Sequence, residues 1–107
     1  MKFIYPAVFT KEEDCYVISF PDFDGCGTYG DDLIKAYEMA KEVMEAMVSG
    51  YYGEDIRPVP TPSDPAAIET DSQSFVSLIY SDFDPVTCYI ESKKAAEEEE
   101  SNDAAED

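Results

Sequence analysis

The chain has 107 residues, 44% of them apolar, and its 25 acidic residues outweigh seven basic ones for a formal net charge of −18. That length predicts one domain with a modest core. The charge argues against direct contact with nucleic acid and favours a cationic protein partner, because the summed field of the chain steers association.

Seven of the 25 acids (Glu97 to Glu100, Asp103, Glu106 and Asp107) lie at the C-terminal end, yet the remainder still carries −11. Acidity also serves solubility by itself. There is no histidine, and Cys15, Cys26 and Cys88 form no C-x-x-C pair, so no metal-ligand spacing is present and no cofactor is implied. Free thiols fit a reducing, cytoplasmic setting. The start, Met1 to Phe9, has one lysine and is broken by Pro6; it is too short for a signal peptide, and no later run reaches membrane-spanning length.

Phe3 to Thr10 reads as a first strand, with Pro6 pointing to an edge position or a bulge. Four polar residues, Lys11 to Asp14, then turn the chain into a second strand, Cys15 to Phe20, giving an antiparallel hairpin. Pro21 to Gly25 breaks the pattern with turn residues, and Cys26 to Tyr29 is a short third strand ended by Gly30.

Asp31 and Asp32 open the clearest helix, either one suited to cap it and both suited to the positive end of its dipole. Leu33, Ala36, Tyr37, Ala40, Val43, Met44 and Met47 follow amphipathic spacing, with Lys35, Glu38, Lys41, Glu42 and Glu45 on the other side. Ser49-Gly50 is the predicted stop. Tyr51 to Ser74 reads as loop, with Pro58, Pro60, Pro62 and Pro65 making it extended and semi-rigid.

Phe75 to Tyr80 (FVSLIY) is the best strand, and its near-continuous apolarity predicts an interior place in the sheet. Asp84-Pro85 reads as the cap and first residue of a short C-terminal helix, with a fifth strand over Val86 to Ile90 as the competing reading. The order β-β-β-α-β defines a two-layer α+β domain over residues 1–92, with residues 93–107 as a solvated, disordered acidic tail.

The segment Tyr16 to Cys26 (YVISFPDFDGC), preceded by Ile4 to Phe9 and followed by Thr28-Tyr29-Gly30-Asp31, resembles the HicB antitoxin family. That family's second strand ends in Ser-Phe-Pro-Asp-Leu-Pro-Gly-Cys, followed by a Thr-x-Gly-Asp step and a helix with Ala-x-x-x-Ala spacing. Ala36 and Ala40 hold those alanine positions here, and Phe75 to Asp84 is similar to the fourth strand and its Asp-rich exit. The resemblance implies a degraded RNase H-like fold that binds and blocks a small, basic, HicA-like toxin that cleaves mRNA. It also implies homo-oligomers, dimer or tetramer, and often a C-terminal DNA-binding module. An exposed sheet edge invites the same pairing of copies.

Asp24, Cys15 and Phe23 depart from the family's Pro, Gly and Leu at those positions. No helix-turn-helix or ribbon-helix-helix pattern follows residue 84, where the chain turns acidic, which argues against operator binding.

An enzymatic reading fares poorly. Active enzymes of the RNase H fold converge several carboxylates on two metal ions, one from the first strand, and Phe3 to Thr10 holds no acid. Asp22 and Asp24 read as turn-shaping residues, Asp31 and Asp32 as helix caps. Cys26 lacks a histidine or an adjacent lysine to activate it and reads as a small core residue. Tyrosines suit interfaces as well as cores. The candidate partner-contacting residues are Asp22, Phe23 and Asp24 in the turn, and Tyr51 and Tyr52 just past the helix. The resulting expectation is an antitoxin-like binding protein, not an enzyme. An orphan HicB-like oligomeric regulatory module is the alternative, and a residual metal-dependent nuclease is less favoured.

Overall fold

The computed structural model describes residues 1–23, 26–53 and 58–94. Its elements are β1 (Lys2–Lys11), β2 (Tyr16–Ser19), β3 (Gly27–Gly30), α1 (Leu33–Gly53), a 3-10 turn (Pro65–Ala67) and β4 (Ser74–Asp82). Residues 85–94 form a second helix, α2, which takes the place of the competing fifth strand. The four strands make one antiparallel sheet in the order β3-β2-β1-β4, and α1 packs on one face of it. The acidic residues from 95 onward lie outside the described residues.

Alternation along β1 sends Tyr5, Ala7 and Phe9 to the helix side, where they meet Ile18 of β2 and Ile79 of β4. Ala36, Ala40, Met44 and Val48 supply the buried stripe of α1. The two alanines let the helix come close, and Gly30 lets β3 come closer still: a Cβ on Gly30 would lie 2.3 Å from the Ala36 nitrogen. Leu33 and Tyr37 have the spacing of the stripe but sit on its rim, 46% and 42% exposed.

The structure reverses the expected places of the two long strands. β1 is interior and β4 is an edge. Register explains why Pro6 is tolerated inside the sheet. The Lys11 N–H donates to the Gln73 carbonyl and the Phe83 N–H to the Met1 carbonyl, so odd-numbered residues of β1 face β4 and even-numbered ones face β2. β2 pairs only with Val8–Lys11, and the same register would set Pro21 opposite Pro6. The donor that Pro6 lacks therefore points where no acceptor strand lies, and its pairing with Leu78 of β4 is intact. Pro6 is at a local edge of an interior strand.

The helix also runs past its expected stop. Asp32 caps the start, its Oδ1 accepting from the Lys35 N–H at 2.7 Å, but α1 continues through Ser49-Gly50 to Gly53. Two aromatic contacts hold the extra turn to the sheet layer: Tyr51 lies 6.3 Å from Phe23, and Tyr52 lies 6.3 Å edge-on from Phe3. Packing of these rings outweighs the weak helix propensity of glycine at position 50.

Candidate functional site

The Phe20-Pro21-Asp22-Phe23 segment turns tightly, with the Phe23 N–H donating to the Phe20 carbonyl at 3.1 Å and the Cys26 N–H to the Phe23 carbonyl at 3.0 Å. Phe23 is only 1% exposed, its ring 4.6 Å from Tyr5 and 5.9 Å from Phe20. This side chain thus anchors the turn to the core and offers no surface of its own. Asp22 accepts from the Ser63 N–H at 3.0 Å and from the Ser63 hydroxyl. Beside it, the Tyr5 hydroxyl donates to the Pro60 carbonyl at 2.6 Å. Burial pushes the Tyr5 phenol above its ordinary pKa, and the nearby Asp22 carboxylate pushes in the same direction.

Tyr51 and Tyr52 are half-buried against the same cluster, so the structure brings Asp22, Phe23, Tyr51 and Tyr52 into one neighbourhood. Asp24 lies outside the described residues. The Pro-rich segment is a strap: Pro60 is bonded to Tyr5, Ser63 to Asp22, and Gln73 to Lys11 at the far end of the sheet.

Among the described residues the carboxylates do not converge. Asp22 is bonded to Ser63 and Asp32 caps α1. Among the described residues, no group of three or more Asp, Glu, Cys or His side chains is placed to hold a metal ion. Cys26 is half-buried, and burial pushes its thiol up, away from the reactive thiolate. Among the described residues, no helix is long and apolar enough to cross a membrane.

The surface that reading along the chain missed is at the β4 edge. Phe75, Leu78 and Tyr80 of β4 are 42%, 43% and 52% exposed, Phe75 on the helix side of the sheet and Leu78 and Tyr80 on the opposite face, and the exposed Tyr37 of α1 reaches the β4 edge from the helix side. The Tyr37 hydroxyl joins the two elements by donating to the Leu78 carbonyl at 2.7 Å, and its ring lies 5.7 Å from Phe9. The signal for this surface was present in the sequence as the near-continuous apolarity of FVSLIY, which suits a strand covered on all sides.

Fold and surface together define a small α+β domain with an acidic body and an open, apolar sheet edge, without a convergent catalytic constellation among the described residues. A family model described as the HicB-like antitoxin of bacterial toxin-antitoxin systems matches residues 4–78, and the chain belongs to that family. Its fold is similar to a chain of a toxin-antitoxin complex from Streptococcus pneumoniae, with a TM-score of 0.67 and 25% identity, covering 77% of this chain and 70% of that one. It is also similar in fold to a chain of a HicA3 and HicB3 toxin-antitoxin complex, with a TM-score of 0.57 and 24% identity, covering 71% of this chain and 94% of that one. An uncharacterized 14.9 kDa protein from the rep-hol intergenic region of Haemophilus phage HP1 is 38% identical over 52 residues. That match takes in 49% of this chain and spans 39% of the phage protein's length.

Proposed function

We propose that this chain is an antitoxin that neutralises a small, basic, HicA-like, mRNA-cleaving toxin by forming a tight protein complex. The observation that carries the reading is the HicB-like family match across residues 4–78, which takes in all of α1 and the sheet up to the middle of β4. The net charge of −18 supports a basic partner, since long-range attraction raises the rate of encounter with an RNA-binding protein. Inhibition on this reading is by occlusion, not by chemistry. The chain acts in the cytoplasm, as a homo-oligomer, without touching nucleic acid itself, on a scaffold of degraded RNase H-like descent. Residues 1–92 are the binding domain and the acidic residues 93–107 an appended tail.

The contact set we favour for the toxin is the Asp22 to Asp24 turn with Tyr51 and Tyr52. Phe23 acts there from beneath, fixing the turn to the core. Coexpression with any small basic open reading frame found adjacent to the gene tests the proposal, and the lack of one would count against it. Growth arrest by that reading frame alone, relieved by this chain and accompanied by copurification, is the expected result. Absence of both rescue and complex would refute the reading.

A further inference from the structure

β4 has the sequence of an interior strand at the position of an edge, and that mismatch says what the edge is for. Natural edge strands are blunted by lysine, proline, bulges or brevity. Over Ser74–Asp82, β4 has none of these: it runs nine residues, pairs without interruption along β1, and exposes Phe75, Leu78 and Tyr80. The odd-numbered residues of β4 spend their backbone groups on β1, so the N–H and C=O groups of Ser74, Val76, Leu78, Tyr80 and Asp82 point away from the sheet.

We infer that the β4 edge pairs antiparallel with β4 of a second copy of this chain, about a two-fold axis at Leu78, to give one continuous eight-stranded sheet. The register pairs all nine residues and is self-complementary. Leu78 faces its own equivalent, Val76 faces Tyr80, and Ser74 faces Asp82. The middle pairing sets a β-branched side chain against an aromatic one, a favourable cross-strand combination. No like charges meet, because Asp82 is the only charged residue in β4, and it already lies 3.3 Å from the Met1 amino group. The Leu78 carbonyl retains a lone pair for the new strand beside the Tyr37 hydroxyl.

Charge decides against a foreign cationic strand as the occupant. The acidity of this chain lies elsewhere; from Ser74 to Tyr80 the edge strand carries no acid to attract a base. The inference specifies the homo-oligomer proposed above and is independent of the toxin, so failure to find a toxin would leave it standing.

Sedimentation of the full chain, alone, with amide exchange on the same sample, tests it. The expected mass is twice 11.9 kDa, with slow exchange at the outward amides of Val76, Leu78 and Tyr80. Val76→Pro removes one outward donor and no bond to β1, and Tyr80→Lys places a charge beside the dyad; each is expected to give a monomer with an unchanged circular dichroism spectrum. A monomeric parent chain, a dimer whose outward amides exchange freely, or a folded Val76→Pro dimer would overturn the inference. Outward amides that become protected only when a cationic protein is added would assign the edge to that partner instead. Should Val76→Pro fail to fold, exchange on the unmodified chain still decides.

Discussion

Ser63 donates both its backbone N–H, at 3.0 Å, and its hydroxyl to the carboxylate of Asp22, joining positions 41 residues apart. This bond, with Tyr5 to Pro60, sews the Pro-rich strap to the Phe-Pro-Asp turn and makes the strap part of the domain instead of a loose connection. A half-buried charged acceptor that loses its role leaves the Ser63 N–H without a partner. Asp22→Ala is therefore expected to cost about 1–2 kcal/mol in urea unfolding, the lower part of the range for charge-assisted bonds because the site is partly wet. Amide exchange should quicken at Ser63 and leave β1 unchanged.

The glycines separate by what surrounds them. At Gly30 a methyl group would lie 2.3 Å from the Ala36 nitrogen and 2.5 Å from its Cα, both backbone atoms that cannot move aside without shifting α1 from β3. Gly30→Ala is expected to destabilise the domain by about 3 kcal/mol, at the top of the usual range for overpacking. At Gly50 the same methyl meets nothing within 4 Å and the backbone is helical. Gly50→Ala is expected to stabilise by about 0.5–1 kcal/mol. Equilibrium unfolding of the two variants side by side checks both signs.

α2 depends on pH through its cap. Asp84 Oδ2 accepts from the Thr87 hydroxyl at 2.9 Å, and Oδ1 accepts from the Val86 N–H at 3.0 Å. The Thr87 side-chain bond is the main cause holding the Asp84 carboxyl below the ordinary carboxylate range, with the backbone bonds from Thr87 and Val86 adding to it. A carboxyl depressed in the folded state contributes helix stability above its unfolded pKa and loses it as pH falls through the folded value. Residues 85–94 are thus expected to fray only at pH values below the ordinary carboxylate range. Thr87→Val should raise the Asp84 titration midpoint, read by carboxyl-carbon NMR, and shift fraying to higher pH.

Cys26 should react sluggishly. Desolvation raises its thiol pKa, so the thiolate is scarce at neutral pH. Alkylation followed by peptide mass analysis is expected to show Cys26 modified slowly at neutral pH, accelerating only above the ordinary thiol range. Rapid labelling at pH 7 would contradict the burial assigned to it.

Local chemistry was legible along the chain where it is settled by near neighbours. The hairpin turn closed as expected, with the Glu12 N–H donating to the Cys15 carbonyl at 2.9 Å. Asp32 capped α1 and Asp84-Pro85 began a helix, because a carboxylate one to three residues from free N–H groups needs no tertiary partner. Less legible was the end of α1, since Gly50 reads as a stop until Tyr51 and Tyr52 find Phe23 and Phe3. Of the candidate contact residues, Asp22, Phe23, Tyr51 and Tyr52 proved to be neighbours, but the burial of Phe23 depends on Tyr5 and could not be read from its place in a turn.

By itself, then, the sequence determined the element order, the caps, the acidity and the family, all of which follow from adjacent residues or composition. Only the tertiary structure decided which strand is an edge. Pro6 pointed to an edge for β1 and FVSLIY to the interior for β4, and both readings inverted, because strand order is set by pairing between distant segments and not by either strand alone. Pro6 survives because its missing donor faces away from β4, and β4 keeps the apolar composition of a strand with neighbours on both sides while one of those sides stays open within a single chain.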